Sequence, residues 1–201
     1  MNTILNFFKK IPIDLGQGNL RHKTYGKIIA LNLIKSSANN KIALDVGCWD
    51  GYFSKILKKK GYEVISIDIE KNHEKCQIID VNKGLPFIDK SFDLIWCSEV
   101  IEHLKDPIKT IKEFKRVLKP EGIAIFTTPN SEFWLFKILK IFGISPQKIQ
   151  NPGHQHFFGI KDIQQFAPDK IYGFFPYLFL KFKIKKLINL LSPTFIFTTK
   201  K

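Results

Sequence analysis

Lys41 to Ser54 reads KIALDVGCWDGYFS, and the changes of character along this stretch decide the fold. It opens on Ile42, Ala43, Leu44 and Val46, a short apolar run of the kind found in strands buried on both faces. It breaks at Gly47-Cys48-Trp49-Asp50-Gly51, then continues through Tyr52, Phe53, Ile56 and Leu57 with helical spacing. Strand, glycine turn and helix in immediate succession build a ligand pocket at the carboxyl end of a strand in an open α/β sheet. Gly47 and Gly51 are four residues apart and no G-x-G-x-x-G is present, which argues against a dinucleotide fingerprint. Asp45 stands just before the turn, and an acid there suits a ligand bearing a cationic amino group better than a pyrophosphate.

Outward from this loop the chain alternates. The helix from Tyr52 to Lys60 stops at Gly61, and Glu63 to Ile69 (EVISIDI) predicts a second strand with Asp68 near its tip. Asp68 follows Gly47 by 21 residues, the placement from which a strand-end acid accepts ribose hydroxyls. Cys76 to Val81 predicts a third short strand ending at Asp80, and Ser91 to Ser98 an apolar fourth. Asp106-Pro107 is a cap and first-turn proline for a helix carrying Ile108, Ile111, Phe114, Val117 and Leu118. Ile123 to Thr127 predicts a fifth strand, Lys161 to Phe166 a helix, and Lys170 to Phe175 and Thr194 to Thr199 two closing strands. Repeated βαβ units predict right-handed crossovers and a mostly parallel sheet. Upstream, Tyr25 to Lys35 has helical spacing with Ile28, Leu31 and Ile34 on one side.

Asp45-Val46-Gly47-Cys48-Trp49-Asp50-Gly51 resembles the D-x-G-C-x-x-G loop of class I S-adenosylmethionine-dependent methyltransferases. SFDLIWCSEVIEHLKDP (91–107) and RVLKPEGIAIFTTPN (116–130) resemble the next two blocks, in the right order, and the ubiquinone-biosynthesis-like and type 11–23 branches are the most similar. The resemblance runs from Lys41 to Asn130 and implies a Rossmann-like α/β fold. That fold has seven mostly parallel strands, helices on both faces and one antiparallel closing strand. It implies S-adenosylmethionine as cofactor. Backbone at Gly47, Cys48 and Gly51 would face its methionine half and Asp45 its ammonium. Asp68 and Ile69 would lie at the ribose, Asp80 and Val81 at the adenine, and Ser98 and Glu99 on the methyl-donor side. His103 is the candidate base, since histidine titrates nearest neutral pH, with His154 and His156 behind it. Glu99, Glu102 and His103 also resemble the magnesium ligands of some relatives; the reading here assigns no metal, because metal-free relatives share the Glu-His pair. Trp49 departs from the pattern, where many relatives carry glycine. It fits only if its side chain points out of the loop and its φ avoids positive values.

The composition sets outer bounds. At 201 residues, with 44% hydrophobic and 25% charged, the chain suits one domain over 1–201, with residues 1–40 a leading helical segment. The formal charge of +14 comes from 32 Lys and Arg, of which only Arg21 and Arg116 are arginine. A solvated lysine surface explains it, and attraction to nucleic acid or a membrane surface is the competing reading. No RNP-like aromatic motif or arginine cluster accompanies the charge, so nucleic acid is not favoured. Cys48, Cys76 and Cys97 contain no C-x-x-C, and neither a disulfide framework nor a zinc site follows; a reducing cytoplasm fits. The first residues do not read as a signal peptide, and no apolar run approaches the roughly 18 residues of a membrane span. Residues 131–158, with FWLFKILKIF, occupy the place of a substrate lid. Residues 177–191 place Leu180, Ile184, Leu187, Ile188 and Leu191 on one stripe and lysines on another, an amphipathic helix able to contact a membrane peripherally. The expected acceptor is a small hydroxylated metabolite, glycan or lipid-linked intermediate. The alternative is a basic RNA-binding or membrane-surface protein on an idle methyltransferase fold. The sequence does not define an oligomeric state.

Overall fold

The computed structural model describes Asp14 and residues 22–37, 40–150, 153–177 and 180–201. In chain order, α1 (Tyr25–Asn32) leads to β1 (Lys41–Val46), α2 (Tyr52–Lys59), β2 (Tyr62–Asp68), β3 (Cys76–Ile78), β4 (Phe92–Ser98), α3 (Pro107–Val117) and β5 (Leu118–Pro129). Then follow α4 (Trp134–Ile141), α5 (Pro146–Ile149), α6 (Ile160–Gln165), β6 (Lys170–Tyr177), β7 (Leu180–Ile184), α7 (Ile188–Leu191) and β8 (Thr194–Lys200). The strands join in the order β3-β2-β1-β4-β5-β8-β6-β7. β1 to β5 are parallel, β8 is antiparallel to both β5 and β6, and β7 is antiparallel to β6. The strand order reverses between β1 and β4, and ligands bind at such a switch point, outside the carboxyl ends of the strands.

The central strands are apolar on both sides because both sides are covered. In β4, Ile95 and Cys97 join Phe126, Phe197 and, from α3, Ile111 and Phe114 in one core cluster. Leu94 and Trp96 face the other way, with Ile125, Ile196, Ile29 and Ala30 of α1 and Leu57 of α2. α3 starts where the sequence predicts: the Asp106 carboxylate accepts the Lys109 amide at 2.9 Å, and Pro107 opens the helix. A third, smaller cluster, Phe133, Leu135, Phe136, Leu139 and Ile144, gives the 131–158 insertion its own core.

Several expectations need correction. Among the described residues the sheet has eight strands rather than seven, because residues 180–184 form β7 where the amphipathic helix is expected. Leu-Lys-Phe-Lys-Ile also alternates with period two, and the free edge of β6 selects that reading by supplying a hydrogen-bond ladder. The Phe175 and Phe182 rings then stack with centroids 5.2 Å apart. Among the described residues of this region, helix survives only at Ile188–Leu191. α1 buries Gly26, Lys27, Ile29 and Ala30, and leaves Ile28 on the outside. The predicted stripe is therefore rotated, and a lysine sits in the buried face. β3 ends at Ile78, and Val81–Lys83 form a 3-10 turn instead of continuing the strand.

Candidate functional site

The carboxyl ends of β1, β2 and β4 open into a cavity of about 380 Å³, a size suited to a small organic ligand. Its floor is the glycine loop. Gly47 has φ 70°, and a Cβ there would lie 2.4 Å from Val100 Cγ2, so only glycine lets the two loops meet. The amides of Gly47 and Cys48 both donate to the Ile67 carbonyl, at 2.9 and 3.1 Å, tying the loop to β2. Trp49 does not avoid positive φ as the sequence reading required. It sits at φ 45°, with its side chain 44% exposed at the rim. A left-handed bulky residue costs roughly 1–2 kcal/mol. The Trp49 amide donates to Asp68 Oδ2 at 2.8 Å and helps to hold that geometry.

Among the residues expected to bind cofactor, Gly47, Cys48, Asp68, Ile69, Val81, Ser98 and Glu99 line the cavity, as does His103. Asp45, Gly51 and Asp80 do not. Asp45 lies behind the loop, where its Oδ2 accepts the Ser54 hydroxyl and Ser54 in turn meets Ser66 at 2.8 Å. Its Oδ1 is buried without a hydrogen-bond partner, and burial pushes the carboxyl up to about 7 against the pull of Ser54. Gly51, at φ 72°, caps α2. Asp80 turns back to accept the amide and side-chain nitrogen of Asn82 at 3.0 and 2.9 Å, bonds that hold its carboxyl below the ordinary range. Asn82 reaches the cavity in its stead.

Sequence reading missed other parts of the wall: His22, Lys27, Phe53, Asn72 and Asn82. Lys27 is the most consequential. It is only 6% exposed, and its positive charge acts on both Glu99 and Glu102. The available signal was a lysine inside the otherwise apolar YGKIIALN. Glu99, at φ 58°, closes a chain of hydroxyls: Ser98 Oγ lies 2.8 Å from Thr127 Oγ1, which donates to Glu99 Oε1 at 2.9 Å. Burial raises the Glu99 carboxyl, and Lys27 opposes the rise. Glu102 lies deeper and accepts the Thr128 hydroxyl at 2.9 Å. Burial and the Glu99 charge push it well above the ordinary range.

Residues 153–156 of the insertion fold over this edge. The amides of Gln155 and His156 donate to the Glu102 carbonyl at 2.8 and 3.1 Å, and His156 Nε2 donates to the Leu104 carbonyl at 2.8 Å. His156 thus fastens the segment. His103 Nδ1 meets the Gly153 carbonyl at 2.9 Å; since a carbonyl only accepts, Nδ1 is the donor in this contact. His154 stacks edge-on against His103 at 4.7 Å, and burial lowers it to about 4, so it is neutral at neutral pH. Glu102, His103 and His154 bring one ligand atom each within 4.8 Å of one another, and Glu99 is outside that group. Two imidazoles and one carboxyl supply fewer oxygen donors than magnesium usually takes.

The wall presents four carboxylates, Asp50, Asp68, Glu70 and Glu99, against one lysine, Lys27, although the chain as a whole carries +14. The unpartnered Asp45 oxygen lies behind the same wall. A more open hollow of about 630 Å³, lined by Gln164, Asp169, Lys170, Lys185 and Asn189 among others, holds no comparable convergence of groups.

An open parallel sheet with an acidic, nucleoside-sized crevice at its switch point defines a cofactor-binding α/β scaffold of the S-adenosylmethionine type. The chain belongs to the methyltransferase domain family, whose model matches residues 19–172, within the class I S-adenosylmethionine-dependent group. The ubiquinone biosynthesis O-methyltransferase of Coxiella burnetii (strain Dugway 5J108-111) is 34% identical over 53% of this chain and 53% of its own length. The protein of the same description from Histophilus somni (strain 2336) is 33% identical over 54% of this chain and 56% of its own. The chain spans about half the length of the curated relatives it matches. Two solved structures share the fold. A methyltransferase from Archaeoglobus fulgidus has a TM-score of 0.62 at 18% identity, covering 90% of this chain and 97% of that one. One from Mesorhizobium loti has a TM-score of 0.65 at 13% identity, covering 88% and 98%. No helix among the described residues is long and apolar enough to cross a membrane.

Proposed function

We propose that this chain transfers a methyl group from S-adenosylmethionine to a hydroxyl oxygen of a small, partly apolar metabolite. One observation carries the reading: an acidic cavity in a strongly basic chain, matched to a cofactor with a sulfonium and an ammonium. When bound, S-adenosylmethionine supplies a methyl group on a sulfonium that leaves as a neutral thioether. Asp68 retains acceptor lone pairs beyond its bonds to Trp49 and Ile69 and offers them to the ribose hydroxyls. Val81 and Asn82 edge the adenine end, and the glycine loop lets backbone approach the methionine half. Ser98 and Glu99 line the donor side, with the Thr127 hydroxyl fixing the Glu99 oxygen.

Most of the acceleration then comes from alignment of donor and acceptor. A hydroxyl acceptor must still lose its proton, and His103 Nε2 is the free base at that edge, oriented through Nδ1 by Gly153. Residues 131–158 act as the acceptor-side cover. Their exposed Ile138, Ile141 and Phe142 suit an acceptor with an apolar portion or a peripheral membrane contact. The relatives named as O-methyltransferases support oxygen as the acceptor atom.

Calorimetric titration tests the reading. The wild type should bind one S-adenosylmethionine per chain, and Asp68→Ala should weaken binding about 100-fold, the loss of two hydrogen bonds to a charged group. A folded wild type that takes up no cofactor overturns it.

A further inference from the structure

We propose that Cys48, His73 and Cys76 form a soft-metal site, suited to zinc, that clips the glycine loop to the connection between β2 and β3. These residues each offer a ligand atom within 4.8 Å of the others. Cys48 Sγ and Cys76 Sγ are 3.3 Å apart and buried, at 2% and 6% exposure. His73 Nε2 is also buried, and it has no hydrogen-bond partner. A buried, unpaired imidazole nitrogen beside two thiols calls for an explanation, and a shared cation supplies one.

The local geometry fits. His73-x-x-Cys76 is a tight turn closed by the Cys76 amide on the His73 carbonyl at 3.1 Å, and two-residue spacing between ligands is usual in structural zinc sites. Cys48 completes the set from across the sheet, 25 residues before His73, a separation that hid the site from sequence reading. Gly51 makes room for the imidazole, since a Cβ there would meet the His73 ring at 3.1 Å. Tetrahedral zinc with Zn–S near 2.3 Å needs sulfurs roughly 3.8 Å apart, a shift of about half an ångström from the present separation. Binding releases the two thiol protons to solvent, and two thiolates with a neutral imidazole leave Zn²⁺ neutralised, with a fourth position for water. Glu70 and Asn72, in the connection so held, line the same cavity as the loop, so the ion would lock two of its walls together.

Cobalt spectroscopy on the reduced, chelator-stripped protein tests this. One equivalent of Co²⁺ should produce thiolate-to-cobalt charge-transfer and tetrahedral d–d bands, which one equivalent of Zn²⁺ should then abolish. His73→Ala and Cys76→Ser should each weaken the metal at least about 100-fold, and Cys97→Ala should leave the spectrum unchanged. Because His73 lies on a half-exposed connection, circular dichroism of His73→Ala serves as the fold control. Failure of the bands to appear overturns the site, as does their survival in both variants. Reduced protein that shows no cobalt bands, while its air-oxidised form carries a Cys48–Cys76 disulfide, assigns the pair to redox chemistry instead.

Discussion

From β1 to β5 the chain crosses between parallel strands, and each crossover delivers a loop to the carboxyl edge of the sheet. From β6 to β8 it doubles back, and the final strand enters between two earlier ones, antiparallel to both. In the first region polar groups are buried at fixed places: Asp45 behind the loop and Glu102 beneath Thr128, with Lys27 of the preceding α1 acting on Glu99. In the second region the outer strand β7 carries Leu180 and Phe182 at 67% and 50% exposure. The first region spends stability on a site; the second closes the core with β8 and leaves only its outer strand, β7, as an edge with little at stake.

Substitutions can break this contrast. The largest effect should come from Asp45. Its carboxyl titrates at about 7 when folded, against 3.8 ordinarily, so the folded protein keeps a proton that the unfolded chain loses between those values. Stability therefore falls as pH rises from about 4 to 7, and Asp45→Asn should flatten that fall by as much as about 4 kcal/mol. Urea denaturation across this pH range measures it, and an unchanged slope would mean that Asp45 stays ionised. Trp49→Asn should also stabilise, and more weakly. Asparagine tolerates φ 45°, so the variant should gain about 1 kcal/mol in the same assay, unless contacts of the indole outweigh backbone relief. At the far edge, Leu180→Ser should change stability by less than about 0.5 kcal/mol, and Phe182→Ser, which loses its stack on Phe175, by about 1 kcal/mol. A loss above about 2 kcal/mol there would erase the contrast by showing that β7 is covered in solution.

What was legible in the sequence follows the same division. The glycine loop, Asp68 at its strand tip and the Asp106-Pro107 helix start depend on a few neighbouring residues, so local signals placed them. Leu180 to Ile184 fits both a helical stripe and a strand alternation, and only the free edge of β6 chooses between them. Lys27 could not be assigned to a buried face without knowing that Glu99 and Glu102, more than seventy residues on, arrive opposite it. Asp45 and Asp80 were found at the right depth in the sheet, but side-chain direction sent one to Ser54 and the other to Asn82.

The place of β8 also sets an order of assembly. Six of its seven residues are buried between β5 and β6, yet it is synthesised after both. Until Lys200 has emerged from the ribosome, β5 holds an open edge of unpaired amides and carbonyls while Phe126 lacks Phe197, its stacking partner at 4.7 Å. A nascent chain paused in the α7 turn thus carries most of the cofactor crevice beside an unfinished sheet, the kind of edge that chaperones protect and other nascent chains invade.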